Sequence, residues 1–107
     1  MKEMQEKVEE AVKKYNLSGD ASVKYIDLTS EIGELGKEIL KGNDYGMKEF
    51  EKTEDTAMEL GDVLFSLICV ANELDIDMDG ALDAVLIKYA RRFEEKSSIG
   101  SEDNKER

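Results

Sequence analysis

The sequence predicts an all-α protein built as a four-helix, bundle-like subunit that completes its core by oligomerisation. Proline is absent and the glycines cluster at a few places, which favours helices joined by short turns. Four segments carry apolar residues at helical spacing. The segment 63–71 is apolar on nearly every side, and such a helix has to be covered all round. Because three other helices of one short chain can hardly cover it, we expect a homo-oligomer, either a dimer or a tetramer.

The predicted helices are separated by residues that favour turns. Polar and glycine residues at 16–20 end the first helix, and Lys41 followed by Gly42 closes the second. A loop at 43–46 and a candidate helical turn at 47–52 precede the third helix. The helices are expected at about 2–15, 22–40, 53–74 and 78–95. The polar residues 97–107 form a predicted flexible tail, so residues 1–96 are expected to form a single helical domain.

The composition excludes several classes of function. The net charge of −11 argues against a nucleic-acid partner, which would require a basic patch. No apolar run approaches the roughly 18–20 residues of a membrane-spanning helix, and the first residues lack an apolar signal stretch. We therefore expect a cytoplasmic protein with no membrane partner. Cys69 is the single cysteine and no histidine is present, which leaves carboxylates, lysines, tyrosines or oxygen-bound metals for catalysis.

Two pairs of acidic residues interrupt the apolar faces of the second and third helices. Glu31 and Glu34 are three residues apart on the second helix, and Glu59 and Asp62 repeat this spacing on the third. If the pairs face each other, two carboxylates about 5 Å apart repel by about 3 kcal/mol, and four of them by on the order of 10 kcal/mol. Protonation or bound cations would have to offset that repulsion. Hard oxygen ligands without histidine favour Mg²⁺, or Mn²⁺, over zinc.

Simpler interpretations of the same acidic residues stay open at this point. The four carboxylates could be solvated positions that offset nearby lysines. The inward-facing residues expected on the second helix are Leu28, Ile32, Leu35 and Ile39.

The segment 75–80 has the acidic spacing of the start of a calcium loop, but the twelfth position of such a loop would be Leu86 rather than a glutamate. Asp77 as the N-cap of the fourth helix explains that segment better.

The segments 31–35 (EIGEL) and 59–65 (ELGDVLF) resemble the MazG family of nucleoside triphosphate pyrophosphohydrolases, which are all-α enzymes. The family signature is ExxE, a variable spacer and ExxD, and the likeness covers roughly residues 28–93. The first helix and the region of Tyr25, where a base would be selected, match nothing in the family. The resemblance implies that residues 1–96 form a single MazG-like domain.

The resemblance implies Mg²⁺-dependent hydrolysis of a (deoxy)nucleoside triphosphate to the monophosphate and pyrophosphate, in housecleaning of the nucleotide pool. Lys88 and Arg92, four residues apart on the last helix, would bind phosphate groups. Glu38 is a candidate for supporting the ligands or acting as a base. In the alternative interpretation, Lys88 and Arg92 are simply cations that a helix C-terminus favours. The implied catalytic and metal-binding residues are Glu31, Glu34, Glu59 and Asp62.

Two other functions compete with hydrolysis. A non-catalytic helical oligomerisation or interaction module would use the apolar third helix alone. A carboxylate-bridged redox-metal bundle usually requires a Glu-x-x-His motif, and the chain has no histidine.

Overall fold

Four helices form the part of the chain that the structure describes. This computed structural model describes the backbone of residues 1–99 and the side chains of residues 1–96. No strand occurs within those residues, so the all-α fold class is confirmed. The helices are α1 (Lys2–Lys14), α2 (Ala21–Gly42), α3 (Thr56–Glu73) and α4 (Met78–Ile99).

The observed helix bounds lie within four residues of the predicted ones. The prediction of a helical turn at 47–52 was wrong, because the backbone there forms turns and irregular structure before α3 begins. Residues 97–99 of the predicted tail belong to α4, and the rest of that tail, 100–107, lies outside the described residues.

The starts of α2 and α4 are fixed by acidic caps. The Asp20 carboxylate accepts a hydrogen bond from the backbone N–H of Val23 at 3.2 Å. The Asp77 carboxylate accepts from the backbone N–H groups of Asp79 and Gly80, both at 3.3 Å. Each carboxylate satisfies donors that a helix N-terminus leaves unpaired. Asp77 is therefore an N-cap, as predicted.

The contacts divide the chain into two units, Met1–Ile76 and the segment that begins at Asp77. In the first unit α3 packs against α2 and, less extensively, against α1. Two hydrogen bonds join α1 to the end of α3: the Gln5 side-chain amide donates to the Asn72 amide oxygen at 3.0 Å, and the Asn72 amide donates to the backbone carbonyl of Gln5 at 3.0 Å. In the second unit the structure describes the single helix α4.

The buried face of α2 matches the predicted apolar stripe only in part, since Leu28 and Leu35 are half-buried as expected. Ile32 and Ile39 of that stripe are 51% and 42% exposed. The deeply buried residues are instead Lys24 and Glu38, with Glu31 half-buried midway between them. These three are spaced seven residues apart, so they lie along one line of the helix. At about 100° per residue, that line is roughly 70° from the centre of the stripe.

The apolar helix α3 is covered along only part of its length. Ile68 and Ala71, toward its C-terminal end, are buried. Leu60, nearer its N-terminal end, is 56% exposed, and Leu64 and Leu67 are also exposed. Among the described residues no helix combines the length and hydrophobicity needed to cross a membrane.

Candidate metal centre

Three carboxylates from α2 and α3 converge on one point. Glu31 of α2 and the pair Glu59 and Asp62 of α3 each offer an oxygen atom, and these atoms lie within 4.8 Å of one another. Glu31 and Glu59 are half-buried, and Asp62 is exposed. The structure thus brings together residues from both halves of the ExxE and ExxD pattern, which are far apart along the chain.

Glu34 lies outside this triplet although it was predicted with it. Glu34 is three residues after Glu31, which rotates it about 60° around α2, whereas Glu38 at seven residues is displaced by only about 20°. The line that faces α3 therefore contains Glu31 and Glu38, and Glu34 lies to one side of it, exposed. Glu34 is nevertheless close enough to affect the ionisation of Glu59.

The electrostatic environment of Glu59 disfavours its charged form. Burial raises the pKa of the Glu59 carboxyl above its ordinary value, and the nearby carboxylates of Asp62, Glu34, Glu31 and Glu38 raise that pKa further. Like charges brought together have this effect because each ionisation increases the cost of the next. A bound cation would reverse the effect by favouring the charged form.

The donor set fits a hard divalent cation. Octahedral Mg²⁺ holds its oxygens at about 2.1 Å, so ligand oxygens are about 3 Å apart when adjacent and about 4.2 Å apart when opposite. The observed separations, up to 4.8 Å, come within this range after small side-chain movements. The partly exposed carboxylates leave room for those movements. Oxygen donors alone favour Mg²⁺ or Mn²⁺ over softer metals.

A second acidic residue of α2 is bound to the segment before α3. The buried Glu38 accepts a hydrogen bond through Oε1 from the Thr53 hydroxyl at 2.5 Å. Its other oxygen, Oε2, is 3.6 Å from the Lys41 ammonium. Sequence reasoning named Glu38 as a candidate but missed Thr53. The Thr-x-x-Thr spacing of Thr53 and Thr56 before the third helix was the available signal.

The two predicted phosphate-binding cations lie on the exposed surface of α4. The Lys88 ammonium is 5.3 Å from the centre of the Tyr89 ring, and the Arg92 guanidinium is 5.8 Å from it. Both distances permit a cation–π attraction. Lys88 and Arg92 thus form one cationic patch around Tyr89 within the second unit.

With this geometry established, comparison with known proteins identifies the family. Residues 21–96 match the MazG nucleotide pyrophosphohydrolase domain. The chain belongs to this family. The resemblance predicted from the two acidic motifs is therefore confirmed, and the predicted enzyme class is confirmed at the level of the family.

Relatives in the MazG family agree with this assignment. The chain is 43% identical to the uncharacterized protein YpjD of Bacillus subtilis over 72 residues, which cover 64% of this chain and 63% of that protein. The match thus spans less than two thirds of that relative. The crystal structure of a Bacillus-conserved MazG protein, described as a nucleotide pyrophosphohydrolase, is similar with a TM-score of 0.68 and 34% identity, covering 82% of this chain and 86% of the other.

A further solved structure has the same fold. The putative pyrophosphatase YpjD from Bacillus subtilis aligns with a TM-score of 0.68 and 34% identity, covering 83% of this chain and 91% of the other. The similarity to both structures extends over most of the helical chain.

Proposed function

We propose that this protein hydrolyses a (deoxy)nucleoside triphosphate to the monophosphate and pyrophosphate in a Mg²⁺-dependent reaction, as part of nucleotide-pool housecleaning in the cytoplasm. The observation that carries the proposal is the convergence of Glu31, Glu59 and Asp62 within 4.8 Å. Membership of the MazG family and the similarity to a nucleotide pyrophosphohydrolase support it.

Each residue of the acidic cluster has a proposed role in binding the metal. Glu31, Glu59 and Asp62 would hold the metal, with Glu34 beside them on α2 as the proposed fourth ligand. Without a cation these carboxylates would repel a triphosphate, because all the charges have the same sign. When bound, Mg²⁺ or Mn²⁺ supplies the positive charge that neutralises the phosphates and polarises the phosphorus.

Lys88 and Arg92 remain the proposed phosphate-binding residues. They are four residues apart on α4, so both side chains leave the same face. The arginine presents a planar set of donors that suits phosphate oxygens, and the lysine a point charge. Lys88→Met and Arg92→Met should each raise the KM for the nucleotide.

The proposed assembly is a homo-oligomer of single-domain subunits spanning residues 1–96. The exposed apolar side chains on α3 support self-association, since Met58 is 70% exposed and Leu60 is 56% exposed. Light scattering coupled to gel filtration measures the subunit number, and a monomer at micromolar concentration would contradict this part of the proposal.

The experiment that tests the activity is pyrophosphate release from a panel of ordinary and damaged (deoxy)nucleoside triphosphates. Each nucleotide is incubated with Mg²⁺, with Mn²⁺ and with a chelator. We expect pyrophosphate from at least one nucleotide with metal and none with chelator. No release from any nucleotide with either metal would overturn the proposal.

A non-catalytic interaction module is the second candidate, favoured by the same exposed apolar residues of α3. It predicts that Mg²⁺ leaves the melting temperature unchanged and that neutralising all four acidic residues has little effect. The metal-dependent melting temperature therefore separates the two functions without any substrate.

A further inference from the structure

Glu38 is a buried charge with both of its carboxylate oxygens engaged. The residue is only 7% exposed. One oxygen accepts a hydrogen bond from the Thr53 hydroxyl, and the other lies near the Lys41 ammonium. A buried carboxylate is stable when hydrogen bonds and a countercharge replace its lost hydration. Both carboxylate oxygens of Glu38 therefore have a partner within the chain.

The hydrogen bonds continue from Glu38 to the first residue of α3. The backbone N–H of Thr53 donates to the Thr56 hydroxyl oxygen at 3.0 Å, and the two hydroxyl oxygens are also 3.0 Å apart. An ionised carboxylate only accepts hydrogen bonds, so the Thr53 hydroxyl proton points to Glu38. Thr56 must then donate to Thr53. The N-terminal end of α3 is thus tied to α2 through Thr53.

This connection lies close to the carboxylate cluster along both helices. Glu38 is two turns after Glu31 on α2, and Thr56 is one turn before Glu59 on α3. The residues pair in opposite chain directions, Glu38 with Thr53 and Glu31 with Glu59, so α2 and α3 run antiparallel here. A shift of one residue in the register of α3 against α2 would rotate Glu59 by about 100° away from Glu31.

A second attachment holds the same loop at the end of α2. The backbone N–H of Glu51 donates to the Gly42 carbonyl at 2.9 Å. The Phe50 ring lies so close to Gly42 that a Cβ there would be 2.4 Å from a ring carbon. Gly42 and Glu38 are four residues apart on α2, so the loop is fixed at two successive turns.

We propose that Glu38 and Thr53 are positioning residues that set the rotation of α3, so that Glu59 and Asp62 meet Glu31 at the metal site. The proposal rests on the metal-dependent function proposed above. Neither residue touches the metal or the nucleotide; each acts through the start of α3. The pair works through its hydrogen bond, and the negative charge of Glu38 contributes less.

Two substitutions separate the hydrogen bond from the charge. Thr53→Val removes the hydroxyl and keeps the side-chain shape and the Glu38 charge. Glu38→Gln removes the charge and keeps an oxygen that accepts from Thr53. Thr53→Ser restores the hydroxyl and is the conservative rescue. Thr29→Val is the matched control, because the Thr29 hydroxyl donates only within α2, to the Ile26 carbonyl at 2.7 Å.

The measurements are calorimetric titration with Mn²⁺ alone, the metal-free melting temperature, and kcat and KM for the best nucleotide. We expect Thr53→Val to weaken Mn²⁺ binding roughly 10-fold and to lower kcat roughly 10-fold with little change in KM, the size of effect seen when a group supporting a ligand is removed. Glu38→Gln should weaken Mn²⁺ binding only about 2- to 4-fold, through the lost charge about 10 Å away. Thr53→Ser and Thr29→Val should resemble the wild type.

Two results would overturn the proposal. One is Mn²⁺ binding by Thr53→Val that equals that of Thr53→Ser. The other is a larger loss in Glu38→Gln than in Thr53→Val, which would mean that the charge rather than the hydrogen bond matters. If Thr53→Val does not fold, as judged by circular dichroism, the smaller Thr53→Ala takes its place with the same expected result.

The wild-type measurements keep this test distinct from the test of function. A wild type that binds Mn²⁺ but hydrolyses no nucleotide would overturn the proposed function, while the order of Mn²⁺ affinities among the variants would still decide the positioning role. A wild type that binds no Mn²⁺ would overturn both.

Discussion

The two ends of α3 bring polar side chains of neighbouring helices together in opposite ways. At the C-terminal end the Asn72 amide accepts from the Gln5 side chain and donates to the Gln5 backbone carbonyl, and the Gln5 side chain also donates to the Ile76 carbonyl at 2.8 Å. At the N-terminal end Glu31, Glu59 and Asp62 bring acceptor groups alone to one point. Amides can satisfy one another, but ionised carboxylates cannot.

The difference separates an end whose polar groups are paired within the chain from an end that gathers acceptor groups alone. The amide end is complete within the chain and stabilises the packing of α1 on α3. At the carboxylate end burial and neighbouring charges raise the pKa of Glu59, so that either protonation or a bound cation would reduce the repulsion. Removing a polar group should therefore destabilise the protein at the amide end and reduce the repulsion between carboxylates at the other end.

The largest expected effect is the loss of activity on neutralising one carboxylate of the cluster. Glu59→Gln should lower kcat at least about 100-fold, since it removes a proposed ligand rather than a group behind one. The metal-free protein should melt at the same or a higher temperature, because one repelling charge is gone. The control is Glu54→Gln, the same change at an exposed position before α3. A strong loss of metal-free stability in Glu59→Gln would show that the carboxylate is structural.

The next effect concerns the loop that closes the carboxylate end. Gly42→Ala would place a Cβ 2.4 Å from a Phe50 ring carbon and 2.6 Å from the Glu51 carbonyl oxygen. We expect a loss of about 1–3 kcal/mol in the free energy of unfolding, as for other overpacked sites. Gly36→Ala is the control, since nothing lies within 4 Å of the added Cβ, and it should stabilise α2 by about 0.5–1 kcal/mol. Urea denaturation measures both, and equal effects would contradict the role of Gly42.

A substitution at the amide end should have the opposite sign to the one at the cluster. Asn72→Ala removes the acceptor and the donor that pair with Gln5, and we expect the free energy of unfolding to fall by about 1–3 kcal/mol. Mn²⁺ affinity should stay at the wild-type value. Urea denaturation and calorimetry provide the two measurements, and a stabilised Asn72→Ala would remove the contrast between the two ends.

The smallest effect is a pH dependence of the metal-free protein. The pKa of Glu59 is higher in the folded than in the unfolded chain, so the folded state binds the proton more tightly. Its ionisation therefore lowers stability progressively as the pH rises from the ordinary glutamate pKa of about 4.3 through the raised value. The melting temperature of Glu59→Gln minus that of the wild type should grow over this interval and then level off. A difference that is constant with pH would contradict the raised pKa.

Much of the fold could be predicted because its signals are local. Helical spacing, glycine at turns and the acidic cap Asp77 depend on residues a few positions apart. The predicted end of α4 and the helical turn at 47–52 were less accurate. In that loop the contacts to Gly42 and Glu38 join residues well separated in sequence and determine the backbone.

The family could be predicted from two short motifs. The ExxE pair Glu31 and Glu34 and the ExxD pair Glu59 and Asp62 identified it, since each motif is contiguous in sequence. The packing of α2 on α3 decided that Glu34 lies beside the triplet, where its charge still raises the pKa of Glu59. The same packing decided that the Glu38 carboxylate accepts a hydrogen bond from Thr53.

By itself the sequence determined four helices, their approximate limits and the two acidic pairs, because side-chain spacing along one helix fixes which residues share a face. Only the tertiary structure decided which side of α2 is buried: the line of Lys24, Glu31 and Glu38, with Leu28 and Leu35 beside it, rather than the side with Ile32 and Ile39. The physical reason is that rotation about a helix axis leaves every local hydrogen bond intact. Contacts between helices alone distinguish one rotation from another.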